Sequence, residues 1–228
     1  MQTPPTDATG LLKPGQTLVC IGDSITYAPE GYVTTVREVL AVRFPDTPPQ
    51  VINAGIGSDT VKQMLARFDD ELLAHKPDWV SIMAGVADTV YQLLGRPGAT
   101  RPEQQGSTPE EFGQAISEMV TKAREVGVKV ALCTPNHFED HWQSGEASLA
   151  NRNIVDKTAY LYQAAAQDDV LLVPTAEVLL RAVQQARRQG RRLLFTPDGF
   201  HPDEMGHALM ALAFLASFGY ELELPEVQ

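Results

Sequence analysis

No apolar run in this chain approaches the ~20 residues of a bilayer span, so no membrane-spanning helix is expected. Cysteine is scarce. Cys20 and Cys133 are the only two, each inside an apolar run (TLVCIGD and VALCTPN). They read as buried strand thiols in preference to a disulfide or a reactive pair, and neither has metal-ligand spacing. Basic charge is short as well: 18 Lys and Arg stand against 29 Asp and Glu, a net charge of −11. An acidic surface repels phosphate, which excludes nucleic acid and anionic membranes as default partners. Compositional bias is absent, with 17 Gly, 16 Pro, 21% charged and 43% hydrophobic residues among 228. Collagen, coiled-coil rods and wholesale disorder are excluded. The start, MQTPPTDATGLLKPG, has neither a basic opening nor a long apolar centre. It gives no secretory signal, so the cytoplasm is the expected compartment, although a signal trimmed beforehand would leave no trace.

Short continuous apolar runs are plentiful: Thr17–Ile21, Gln50–Ile52, Trp79–Met83, Lys129–Leu132 and Val170–Val173. Runs apolar on both faces suit strands of a buried parallel sheet. Helical spacing fills the intervals. Val33, Val36 and Leu40 mark a helix ending near Pro45. Val61, Met64, Leu65, Phe68 and Leu72 share one face, as do Phe112, Ala115, Ile116, Met119, Val120 and Ala123. Asn151–Gln167, Thr175–Gln189 and Asp203–Phe218 complete the helices. Five alternations of strand and helix predict an α/β fold, a parallel sheet with helices on both faces. Residues 1–16 read as a flexible arm, 17–219 as one domain and 220–228 as a tail. Two polar stretches break the rhythm, Leu94–Pro109 and Asn136–Ser148. Both emerge where ligands bind in such sheets and are either substrate walls or solvated insertions.

Chemistry-bearing residues sit where strands end. Ser24 follows the first strand in Gly22-Asp23-Ser24, a turn that exposes a nucleophile if a base is near. Asp198 and His201 are three apart in a turn before the last helix. That spacing lets the carboxylate orient one imidazole nitrogen while the other faces a serine. Pro202 suits the first position of the helix that follows. Asn53-Ala54-Gly55 follows the second strand and Gly85-x-x-Asp88 the third.

This conjunction, from about Thr17 to Phe218, resembles the SGNH hydrolases, also called the GDSL lipases and esterases. The resemblance implies a three-layer flavodoxin-like fold, a five-stranded parallel sheet in the order 2-1-3-4-5. It implies a cofactor-independent Ser-His-Asp mechanism with Ser24, His201 and Asp198 as nucleophile, base and orienter. It implies an oxyanion hole made by the Ser24 N–H, a glycine N–H after the second strand and an asparagine side chain after the third. Two positions depart from the pattern. Ser58 holds the usual glycine position, with Gly57 beside it, and either N–H serves if the backbone permits. Ala87 stands where the asparagine belongs, and alanine has no donor. An Asn-to-Ala change made on purpose, a donor from elsewhere, and drift toward a weak or non-catalytic role are the three accounts of Ala87.

Other residues are read more lightly. Asp23 and Asn53 tie down loop backbones or touch substrate. Asp88 opens the loop after the third strand and caps it or touches substrate, Tyr27 and Tyr32 line the pocket mouth, and His137 contacts substrate. His137 and His141, with Asp140 between, are read as loop residues and not as a metal pair. His207 reads as structural, and Arg181, Arg187, Arg188, Arg191 and Arg192 as a solvated helix end. The expected activity is hydrolysis of small acyl or O-acetyl esters, with an acetylated sugar as the substrate partner and no metal or other cofactor. A carbohydrate-binding pseudoenzyme on the same fold is the alternative. A flavin or nucleotide binder is disfavoured, because Gly22-Asp23-Ser24 sets a carboxylate where phosphate would sit.

Overall fold

The computed structural model describes residues 10–166 and 169–220. Strands β1 (Thr17–Gly22), β2 (Gln50–Gly55), β3 (Trp79–Met83), β4 (Lys129–Cys133) and β5 (Val170–Val173) form one parallel sheet in the order β2-β1-β3-β4-β5. The helices are α1 (Ser24–Tyr27), α2 (Tyr32–Arg43), α3 (Val61–His75), α4 (Val86–Leu94), α5 (Pro109–Glu125), α6 (Ala147–Ala165), α7 (Thr175–Arg188) and α8 (Glu204–Ser217). Alternate β1 residues feed two cores. Leu18 and Cys20 pack with Val33, Val36 and Leu40 of α2 and Met210 and Phe214 of α8. Val19 and Ile21 pack with Met64 and Phe68 of α3 and Phe112, Ile116 and Met119 of α5. Each such large side chain contributes roughly 1.5–3 kcal/mol on burial, which is what holds helices to both faces.

Helix starts follow the local chemistry. Thr60 caps α3 in a capping box with Gln63, and Thr108 caps α5 in another with Glu111. Asp203 caps α8, its side chain accepting from Gly206 N, so Pro202 lies one residue outside the cap and not at the expected first helical position. α4 is a further helix, lying where the sequence suggested only a loop opening at Asp88.

The segment expected to be a loose arm is packed from Gly10 onward. Leu12 is buried, Leu11 N donates to Phe218 O, and Gly15 N donates to Thr47 O. Tyr220, expected in the tail, is also buried and donates to the Leu12 carbonyl. The two ends hold each other against α8, and this mutual cover is what a reading of either end alone misses. The rest of the expected arm and tail, 1–9 and 221–228, lies outside the described residues.

The register sets up the site. Gly22 is level with Gly55 of β2 and Met83 of β3, and Met83 with Cys133 of β4. Four strands therefore end at one height, and the loops that follow them stand side by side.

Candidate active site

β1 delivers Ser24. Asp23 caps the single turn of α1, its Oδ1 accepting from Ile25 N at 3.0 Å, so Ser24 begins the turn half-buried. Ser24 Oγ lies 2.8 Å from His201 Nε2. On the other side of the ring, His201 Nδ1 lies 2.5 Å from Asp198 Oδ2. The second Asp198 oxygen accepts from the backbone N–H of Phe200 at 3.1 Å and of His201 at 2.8 Å. Burial alone would raise the Asp198 pKa. The hydrogen bonds from the His201 backbone and ring and from the Phe200 backbone outweigh it and hold the carboxyl below its ordinary value. An ionised Asp198 leaves the proton on Nδ1 and the lone pair of Nε2 facing Ser24.

The turn carrying Asp198 and His201 is braced by the loop after β4. Glu139 N donates to Gly199 O at 2.9 Å, Asn136 Nδ2 to Phe200 O at 2.8 Å, and His141 Nε2 to Pro197 O at 3.1 Å. Phe138 and Trp142, both buried, meet each other and Phe200 with ring centroids 4.5–6.4 Å apart. Gly199 takes φ 105°, and a Cβ there would stand 2.8 Å from the Trp142 Cβ, so glycine is required. The stretch 136–142 is thus neither a solvated insertion nor simply a substrate wall. It fixes the base. The aromatic residues in HFEDHW were the available signal.

The loop after β2 carries the two positions expected to offer backbone donors. Ser58 takes φ 70°, the left-handed region that glycine adopts freely and that costs another residue about 1–2 kcal/mol. Its carbonyl is pinned by Arg96 Nη1 at 3.1 Å, and Arg96 also donates to Gln63 Oε1 at 2.6 Å. Arg96 and Glu103, whose carbonyl accepts from Thr60 Oγ1, lie in the 94–109 stretch. That stretch folds back on the start of α3. Among the described residues, the N–H groups of Ser24, Gly57 and Ser58 donate to no protein acceptor. Ala87 occupies the first turn of α4, and its own N–H points at Asp23 Oδ2, 3.5 Å away. Its methyl group supplies no donor.

The remaining expected site residues divide. Tyr27 is exposed, three residues after Ser24. Tyr32, expected at the pocket mouth, is instead fully buried, bonded to Thr26 Oγ1 and stacked on His207. Asn53 ties loops together, donating to Thr26 O at 2.7 Å and accepting from Gly55 N at 2.9 Å. Asp88, expected as a weak substrate contact, is wholly buried and accepts from Val61 N at 3.0 Å, so it joins α4 to the start of α3 and is closed to substrate. His137 is partly buried, which lowers its pKa against the opposing pull of Glu177. Buried Lys157 was not foreseen. It reaches Gln92, Asn153 and Thr89 behind α4.

Asp23 has a measurable consequence. It is 1% exposed, and burial raises its pKa from 3.8 to about 6 despite the Ile25 and Ala87 N–H groups. An acid with a higher pKa folded than unfolded favours the folded state at low pH. That advantage is lost as pH rises through the folded value. The stability advantage of wild type over Asp23→Asn should therefore shrink by roughly 2 kcal/mol between pH 4 and 7. Urea denaturation at each pH reads the difference; a gap that is constant or widens with pH contradicts the assignment.

The fold and the family and esterase relatives it shares define the class: this is a carboxylic ester hydrolase. Residues 20–209 match the GDSL-like lipase/acylhydrolase family, and the chain belongs to it. It is 28% identical over 225 residues to an acetylxylan esterase of Geobacillus stearothermophilus, an alignment covering 91% of this chain and 95% of that protein. The crystal structure of Axe2, an acetylxylan esterase from the same organism, superposes with a TM-score of 0.77 at 26% identity, covering 95% of this chain and 100% of Axe2. Solved variants of Axe2 include catalytic mutants at a serine, an aspartate and a histidine. LAE5, an α/β hydrolase from the metagenome of Lake Arreo, gives a TM-score of 0.76 at 26% identity over 92% of this chain and 98% of its own.

Proposed function

We propose that this esterase removes O-acetyl groups from a carbohydrate, with Ser24 as nucleophile, His201 as general base and Asp198 as its orienter. The observation that carries the reading is the unbroken line from Ser24 Oγ through the His201 ring to Asp198, with steps of 2.8 and 2.5 Å. His201 Nε2 takes the Ser24 proton as Oγ attacks the acetyl carbonyl. The N–H groups of Ser24 and of Ser58 or Gly57 meet the oxyanion. His201 then gives that proton to the departing sugar oxygen, which leaves as a hydroxyl. Water, activated by the same ring, attacks the acetyl-serine and releases acetate. Ala87 makes the oxyanion hole one donor short, so turnover is slow. The acetylxylan esterase relative and the catalytic serine, aspartate and histidine of Axe2 support both the residues and the acetyl group.

Acetate release from acetylated xylo-oligosaccharides, followed by proton NMR, tests the substrate. Release at a rate proportional to enzyme is expected. Turnover of p-nitrophenyl acetate with no acetate from the sugar ester would remove the carbohydrate half of the reading. Ala87 itself favours a second reading, a carbohydrate-binding protein with disabled chemistry. That reading requires the acetylated sugar to bind calorimetrically while neither ester turns over.

A further inference from the structure

The chain has six tyrosines, and five are engaged. Tyr32 bonds Thr26 and stacks on His207. Tyr91 lies beneath the Arg96 guanidinium, 4.9 Å from its ring centre. Tyr160 packs against Gly113, Tyr162 donates to Glu177, and Tyr220 donates to the Leu12 carbonyl. Tyr27 alone is 58% exposed with no hydrogen bond or ring contact from its side chain among the described residues.

The backbone beneath that idle ring is held tightly. Tyr27 N donates to Asp23 O at 2.9 Å, Ala28 N to Ser24 O at 3.1 Å, and Asn53 Nδ2 to Thr26 O at 2.7 Å. Gly55 presses so close that a Cβ there would stand 2.3 Å from Tyr27 N. The next residue, Ile56, is 46% exposed, and its N–H is bonded to Gly22 O at 3.0 Å. Adjoining loops thus hold out an aromatic ring and an aliphatic side chain, three residues from Ser24 along one and directly after Gly55 along the other.

A phenol ring combines an apolar face with a wet hydroxyl edge, which suits it to ligands that are apolar on one side and hydrated at the rim. A pyranose ring is such a ligand, with a face of C–H bonds edged by hydroxyls. A ring carried on a fixed backbone gives up little freedom when it is covered. We infer that Tyr27, with Ile56 beside it, forms a stacking subsite for a pyranose ring of the acetylated substrate. The inference rests on the carbohydrate-ester reading above.

The test compares kcat/KM on acetylated xylo-oligosaccharides with kcat/KM on p-nitrophenyl acetate, which has no sugar. The ratio of the two should fall about tenfold in Tyr27→Ala, equivalent to about 1.4 kcal/mol, mostly through KM for the sugar ester. Tyr27→Phe keeps the ring and should hold the ratio within about twofold of wild type, since 0.4 kcal/mol or less is at stake. An unchanged ratio in Tyr27→Ala overturns the subsite, as does an equal fall on both substrates. A fall as large in Tyr27→Phe overturns stacking in favour of a hydroxyl contact. Failure of the underlying reading looks different, since wild type would then release no acetate from the sugar ester.

Discussion

Ser24→Ala should lower kcat/KM for ester hydrolysis by about 10⁴–10⁶ while Tm stays within a few degrees of wild type. The size follows from the way a triad works as a unit. Without Oγ there is no acyl-enzyme, and His201 can only activate water across a gap the serine used to fill. What survives in such variants comes from the oxyanion hole and binding. In the mechanism proposed above that reserve is small, because Ala87 offers no side-chain donor and only backbone N–H groups would meet the oxyanion. The residual rate should lie near the uncatalysed one. Ser24 is half-buried and its Oγ is bonded only to His201, so deleting the hydroxyl leaves no buried polar group stranded except an imidazole nitrogen that solvent can reach. A loss of less than tenfold on p-nitrophenyl acetate would place the nucleophile elsewhere.

The second large effect runs the other way. Ala87→Asn should raise kcat by about 10²–10³, the value of one oxyanion donor, with KM little changed. Position 87 is set by β3, which pairs directly with β1, and by the first turn of α4. The Ala87 N–H points at the carboxylate of Asp23, the residue before Ser24, so a side chain at 87 starts near the proposed nucleophile. The amide of asparagine would donate into the space where the carbonyl oxygen gathers negative charge as its carbon turns tetrahedral. Ala87→Asp is the matched control. It has the same shape and no donor when ionised, and it should lower the rate, because a carboxylate repels the oxyanion. No gain in Ala87→Asn would mean that another group already fills the hole. A gain in both variants would mean that size alone matters.

Much of this molecule was legible from residues alone, for a physical reason. Strands buried on both faces read as continuous apolar runs, and TLVCI and WVSIM could be placed without a partner. Helices covering a sheet carry a one-sided stripe, and Val61, Met64, Phe68 and Leu72 all turn out buried. Ser24, Asp198 and His201 were singled out by their conjunction at strand ends and by the family resemblance, since neither turn is distinctive alone, and the fold sets the three within hydrogen-bond reach of one another. What failed depended on distant partners. α4 was overlooked because Gly85 and Asp88 looked like loop residues, although Val86, Val90 and Leu93 carry a helical spacing. Asp88 was read as a loop cap or a substrate contact, and only the fold shows it bonded to the start of α3. The brace on the His201 turn joins residues about 60 apart, and no local pattern announces a contact of that kind. Ser58 was left open at the sequence level because a serine in the left-handed region is not marked by its neighbours.

The central claim is that Ser24 is an activated nucleophile, and reaction with a fluorophosphonate followed by intact-mass analysis tests it without requiring fast turnover. The account predicts one adduct per chain, mapping to Ser24 and absent in Ser24→Ala. Folded protein that gains no adduct, while a known serine esterase labels fully under the same conditions, would contradict it.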